Sequence, residues 1–275
     1  MSGVFVNRMR QWLSDKKNRL RRFMWQRLFY TGRESRPAFL VGCGRSGTSM
    51  LVLQLGKSWQ LEVYNENNLA AFHNWRLRDF VVVQQLVNKS HAPITLFKPI
   101  LDTYRARLIL DTFPAGKMLF AFRHYSDVVE SSLKKFGAQN RITHVNNWVT
   151  DNFSEFADLH PPAKTQALIG NLWQPGLGPE SGAALYWLFQ NQLYFDLGLN
   201  RHKRVKLIQY EAVVQDPAGQ LANIAAFLDI GNDQRMTEGI FASSVQHRPV
   251  PNLAPAIAAA CQKLWEELRV KSYEL

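Results

Sequence analysis

The segment from Ala38 to Met50 reads as a buried strand running into a glycine-rich turn and then a helix. Glycines let backbone N–H groups converge, and a new helix presents its positive end to an anion, so this is a way to build a phosphate cradle. Gly42 and Gly47 have the G-x-x-x-x-G spacing of a nucleoside-triphosphate loop, but Thr48 and Ser49 follow where Lys and Ser/Thr are required. A cation stands inside the loop instead, at Arg45, and no later strand ends in the acidic residue that would hold Mg²⁺. The loop suits a phosphate-like group without a metal. The plain structural alternative is a tight strand-to-helix connection, since glycine is the default residue of such turns.

A second segment, Met118 to Ser132, is again a hydrophobic strand, now ending in Arg123, with a helix starting near Ser126. The carboxyl ends of parallel strands face one ligand crevice, so Arg123 is expected on the same side as the first loop. Ser131, eight residues on, offers a hydroxyl to an anion held by Arg123. Taken singly, a strand-end arginine is equally an ion-pair residue, and a helical serine need do nothing.

These groups require a sheet to position them. From Pro37 onward, short apolar runs alternate with longer helical stretches, the pattern of an α/β domain with a mainly parallel sheet. Strands are predicted at Ala38 to Val41, Gln60 to Tyr64, Ile94 to Lys98, Met118 to Arg123 and Val205 to Gln209. Helices are predicted at Thr48 to Leu55, Arg76 to Asn88, Thr103 to Phe113, Ser126 to Phe136, Ser181 to Leu197, Pro217 to Leu228 and Ala256 to Val270. Asp216 followed by Pro217 reads as an N-cap and first helical residue, and Gly137 as a C-terminal stop after Lys134 and Lys135. Residues 137–180, rich in proline and glycine around aromatic residues, read as a lid or acceptor-binding insertion.

The 275 residues, 46% hydrophobic with two cysteines, exclude disorder and a disulfide scaffold. Cys43 and Cys261 fit a reduced, cytoplasmic setting, and no cysteine or histidine spacing suggests a metal site. No apolar run reaches membrane-spanning length, and the first thirty residues are too charged for a signal-peptide core. The net charge of +11 is uneven: residues 1–36 hold ten Lys/Arg against Asp15 and Glu34. Met9, Trp12, Leu13, Leu20, Phe23, Met24 and Leu28 recur there at spacings of three and four, the pattern of a basic amphipathic helix. Such a helix either packs its apolar stripe on the following domain or lies on an anionic membrane surface. Nucleic acid is not expected, for lack of an aromatic-plus-basic recognition motif.

The paired motifs resemble those of sulfotransferases that use 3′-phosphoadenosine 5′-phosphosulfate (PAPS). Residues Gly42 to Ser49 are similar to that family's 5′-phosphosulfate loop, and Arg123 with Ser131 to its 3′-phosphate pair. Val205 to Pro217, with Tyr210-Glu211 and Asp216-Pro217, followed by Gln220 to Leu228, resembles a third family signature. The likeness spans roughly residues 37–230. It implies a P-loop-like three-layer α/β domain over residues 37–275 with a mainly parallel central sheet flanked by helices, preceded by the amphipathic extension of residues 1–36.

The resemblance further implies metal-free transfer of a sulfuryl group from PAPS to an acceptor hydroxyl or, less readily, an amine. Gly44, Arg45, Ser46, Gly47, Thr48 and Ser49 would hold the 5′ end of the donor, with Arg45 neutralising charge on the leaving group. Arg123 and Ser131 would hold the 3′-phosphate, and Tyr210 would lie near the adenine. Lys98 resembles the lysine that precedes a catalytic histidine in the soluble small-molecule branch, but Pro99 and Ile100 follow it here. In carbohydrate-acting and some bacterial branches a glutamate about twenty residues after the loop is the base, and Glu66 lies 21 residues after Arg45. His73 is the reserve base and His124 a structural residue. The cytosolic Arg-Lys-Gly segment that covers the 3′-phosphate is missing, with Arg248 a substitute. A carbohydrate or lipid-linked glycan acceptor joins the glutamate base, the aromatic residues Trp148, Trp173 and Trp187, and a helix able to rest on a membrane; such tryptophans are more often ordinary core. That places the protein in the cytoplasm or on the inner face of a membrane. The competing readings are a P-loop nucleotide kinase and a non-catalytic nucleotide-binding protein of the same fold.

Overall fold

The computed structural model describes residues 20–30, 32–154, 161–240 and 251–273. Five strands form one parallel sheet: β1 (Arg36–Gly42), β2 (Leu61–Tyr64), β5 (Ile94–Phe97), β6 (Lys117–Phe122) and β7 (Val205–Gln209), in the order β2-β5-β1-β6-β7. Parallel strands need crossover connections, and here they carry helices on both faces. Side chains alternate along a strand, so β1 sends Phe39 and Val41 into one core and Ala38 and Leu40 into the other. Both sets are fully buried, which is why β1 reads as an unbroken apolar run.

One face is covered by α2 (Thr48–Leu55) and α10 (Pro217–Phe227). The other carries α5 (Tyr125–Phe136), α8 (Pro179–Asp196) and α11 (Pro255–Tyr273). Helix α8 is apolar nearly all round and lies at the centre of its layer, as a buried helix must. The remaining helices are α1 (residues 20–30), α3 (Phe80–Lys89), α4 (Ala106–Thr112), α6 (Ala138–Thr150), α7 (Ala163–Leu172) and α9 (Tyr210–Gln215). The α/β, mainly parallel architecture expected from the sequence is the one observed, and no described helix is long and apolar enough to cross a membrane.

Two helix starts differ from those expected. The helix expected from Arg76 begins at Phe80, because Arg76–Leu77 forms strand β4, paired antiparallel to β3 (Phe72–His73) around Asn74 and Trp75 at positive φ. The helix expected from Thr103 begins as a 3₁₀ turn, Ile100–Arg105, which kinks at Asp102; the Asp102 carboxylate accepts a hydrogen bond from the Leu77 amide at 2.7 Å. The stretch from residue 137 holds α6 and α7 packed on α8. Finally, α1 docks through a mixed face: Gln26 donates to the Trp59 carbonyl at 2.7 Å and Arg22 to that of Gly56, Trp25 meets the Trp59 ring and Phe23 the His91 ring edge-on, while Leu20, Met24 and Leu28 are 62%, 62% and 77% exposed. Packing of those three residues on the domain is therefore excluded; Met9, Trp12 and Leu13 lie outside the described residues.

Candidate active site

The loop between β1 and α2 needs glycine at two positions. A Cβ on Gly42 (φ 124°) would stand 2.1 Å from the Ala121 carbonyl oxygen, and one on Gly47 (φ 77°) 2.1 Å from the Tyr210 ring. Thr103 fixes the start of the loop, donating to the Gly42 carbonyl and accepting from the Gly42 amide, both at 3.0 Å. Ser46 is fully buried and its amide donates to the Cys43 carbonyl at 3.2 Å. Gly47 caps α2 with no side-chain hydrogen bond, so the first-turn amides, from Thr48 on, have no side-chain acceptor at the cap. Within the loop Arg45 holds φ at 72°, a strained conformation for a side chain of that size.

Arg45 turns its guanidinium toward α5, where its Nε donates to the Ser131 Oγ at 2.9 Å. Loop cation and helical serine, 86 residues apart, thus form one site. Arg123 emerges from the end of β6, is 8% exposed, and pairs with Asp127 one helical turn on at 2.8 Å. Its guanidinium also lies 4.4 Å from the centre of the Tyr210 ring. Tyr210 therefore packs against both Gly47 and Arg123, and is itself buried beneath the loop. Glu211 beside it accepts from the His124 amide at 3.0 Å, tying α9 to the end of β6. Burial first, then the neighbouring guanidiniums of Arg123 and Arg141, hold Arg45 below its ordinary pKa.

A second group assembles where β2 and β5 end side by side. Tyr64 pairs with Phe97, and the Lys98 amide donates to the Tyr64 carbonyl at 3.1 Å. The Lys98 ammonium lies 2.8 Å from the Glu66 carboxylate and donates to the Ser49 hydroxyl at 3.1 Å. Ser49, Lys98 and Glu66 thus join the loop helix to the floor of a cleft of about 990 Å³. Burial raises the Glu66 pKa above the ordinary glutamate value, although Lys98 opposes it. Asn65, Asn67 and Trp75 line the same cleft, as do Arg22 and Phe23 of α1.

His73 is not in this cleft; it borders a separate depression with Arg78 and Asp79. His124 is structural: its Nδ1 accepts from the Ser126 amide, and its ring stacks on Tyr125. Trp148 and Trp187 are buried in the core, and Trp173 packs against it, so none offers an open aromatic face to the cleft. The exposed aromatic residues there are Trp75, on the turn between β3 and β4, and Phe23 of α1, and no spacing in the sequence marks Trp75 for the cleft. Asp127, i+4 to Arg123 on α5, was readable from spacing as its partner. Arg248 lies outside the described residues.

No protein-family model matches this chain, and no curated protein does. Solved structures do. A sulfotransferase domain from the curacin biosynthetic pathway aligns over 86% of this chain and 99% of its own, at 15% identity and a TM-score of 0.50. The sulfotransferase domain of the Synechococcus PCC 7002 olefin synthase covers 87% of this chain and 97% of its own, at 18% identity and a TM-score of 0.48. A mouse sulfotransferase, SULT7A1, complexed with PAP, covers 85% and 84%, at 15% and 0.44. The likeness to the curacin domain shows that this chain has the sulfotransferase fold.

Proposed function

We propose that this protein transfers a sulfuryl group from PAPS to a hydroxyl group of a carbohydrate or glycolipid. The observation that carries this reading is the Glu66–Lys98–Ser49 chain, a partly buried carboxylate and a cation reaching the phosphate-type loop from the floor of an open, polar cleft. The donor fits the residues present: Arg45 and Ser131 already meet, Arg123 stands behind them, and the α2 N-terminus lacks a side-chain cap.

PAPS, when bound, supplies the sulfuryl group together with a stable bisphosphate leaving group. Glu66 accepts the proton of the acceptor hydroxyl, and its raised pKa makes it a stronger base than a solvated glutamate. Lys98 orients that carboxylate and, with Ser49, offers donors to negative charge at the loop. Arg45, Arg123 and Ser131 bind the anionic nucleotide. On the acceptor side, the amides of Asn65 and Asn67 and the exposed face of Trp75 suit a sugar ring. The outward stripe of Leu20, Met24 and Leu28 in the basic N-terminal segment supports contact with an anionic membrane.

The test is release of 3′-phosphoadenosine 5′-phosphate (PAP) from PAPS, with sulfated product followed by mass spectrometry over a panel of soluble and lipid-linked glycans. Acceptor-dependent release by the native chain, absent from Glu66→Gln, supports the reading. No release with any acceptor that occupies the cleft defeats it.

A further inference from the structure

Arg141 stands on α6, ten residues beyond Ser131, and is 7% exposed. Its guanidinium lies between two aromatic rings, 3.8 Å from the centre of Tyr186 and 4.5 Å from that of Phe136. Its Nε is sealed from solvent with no hydrogen-bond partner, and no described carboxylate forms an ion pair with it. A guanidinium cannot shed its charge inside a protein, and a buried cation without a counter-charge is strongly destabilising, as breaking a buried ion pair is. Cation–π contact offsets only part of this.

The unpaired group points at the loop. Its Nη2 lies 3.6 Å from where a Cβ on Gly44 would stand, and Ile100, whose backbone hydrogen-bonds Glu66, is 4.0 Å from the same point. Arg141 also acts electrostatically on both Cys43 and Arg45. Three guanidiniums, from Arg45, Arg123 and Arg141, thus crowd one glycine-rich loop, and Asp127 pairs with Arg123 alone of the three. Like charges repel, so the arrangement suits an anion that bridges them.

We propose that Arg141 is a donor-site anion ligand, holding an oxygen of the phosphate or sulfate seated on the loop at its Gly44 side, the end of the nucleotide nearest Glu66. The inference rests on the PAPS reading above. Arginine suits the position because its planar fork gives two parallel hydrogen bonds while its faces stack on rings, which lysine cannot reproduce.

Calorimetric titration tests it without turnover, using PAP, adenosine 5′-phosphate and adenosine 3′-phosphate with the native full-length chain, Arg141→Met and Arg141→Lys. We expect Arg141→Met to weaken PAP and adenosine 5′-phosphate at least tenfold and adenosine 3′-phosphate less than twofold, with Arg141→Lys between the native chain and Arg141→Met. The melting temperature of ligand-free Arg141→Met should equal or exceed that of the native chain, since an uncompensated charge is removed. Native binding of PAP with unchanged affinity in both variants overturns the role of Arg141 and leaves the donor reading standing. Equal weakening of all three nucleotides with a lowered ligand-free melting temperature overturns it in favour of structural support. Failure of the native chain to bind PAP overturns both.

Discussion

The Glu66 carboxylate and the Lys98 ammonium lie 2.8 Å apart at the ends of neighbouring parallel strands, with side chains only 16% and 8% exposed. The pairing of β2 with β5 brings together residues 32 apart in sequence and aims both at the loop helix through Ser49. Burial pushes Glu66 up and Lys98 pulls it down, with burial the larger effect. With Glu66 as the proposed base the ionised carboxylate is the active form, so kcat/KM is expected to fall as pH drops through this raised pKa. The acid limb therefore lies above the ordinary glutamate value of about 4.3. An acid limb at or below that value contradicts the placement.

Removing the proposed base separates chemistry from binding. Glu66→Gln keeps the shape but takes no proton, so turnover should drop about 10²–10⁴-fold. PAP affinity, measured by calorimetry, should stay within about threefold of native, well under the factor of ten that 1.4 kcal/mol represents. Comparable loss in both would place Glu66 in nucleotide binding.

The loop is held from below by Tyr210. Gly47→Ala puts a methyl group 2.1 Å from the Tyr210 ring at a φ of 77°, so both crowding and backbone strain oppose it. A loss of about 3 kcal/mol is expected from these two effects together. Urea denaturation measures it, and in a Tyr210→Ala background Gly47→Ala should cost less, the crowding being removed and the strain remaining.

Much of this organisation is legible in the sequence because burial on both faces forces continuous apolar runs. That is why β1, β5, β6 and β7 fall within a residue or two of their expected limits. Arg123 is readable as a strand-end residue, and its partner Asp127 by helical spacing. What a pattern does not carry is which way a face points. The apolar spacing of Leu20, Met24 and Leu28 marks a stripe, yet it is the mixed face of Arg22, Phe23, Trp25 and Gln26 that docks. Aromatic residues are ambiguous for the same reason: Trp148 and Trp187 fill the core, while Trp75 stands at the cleft on a two-residue turn that has no glycine. Arg141 carried no signal, since its meaning lies in a partner it lacks and in a loop it meets only through α6 packing.

Trp75 is 60% exposed, so its replacement should cost little stability, within about 0.5 kcal/mol. Trp75→Ala is expected to raise KM for a carbohydrate acceptor severalfold while leaving PAP affinity unchanged. An unaltered KM across acceptors would remove Trp75 from acceptor binding.

The outward stripe of α1 predicts membrane affinity. The full chain should co-sediment with phosphatidylserine-rich vesicles, less so at high salt, since surface attraction is screened within about 10 Å at 0.1 M. Leu20→Ser, Met24→Ser and Leu28→Ser together should abolish this with no change in PAP binding. Undiminished sedimentation of the triple variant would show that these side chains are not the contact.

The proposed donor site would hold a 3′-phosphorylated adenine nucleotide on Arg45, Ser131 and Arg123. The direct measurement is thermal denaturation of the native chain with PAP, beside ADP and beside ATP with Mg²⁺. A ligand at a hundredfold excess over its Kd stabilises the native state by about 2.7 kcal/mol, a rise of several degrees for a chain of this size. That rise is expected for PAP, with a smaller one for ADP and no added gain from Mg²⁺-ATP. No shift with PAP, or a larger shift with Mg²⁺-ATP, would contradict it.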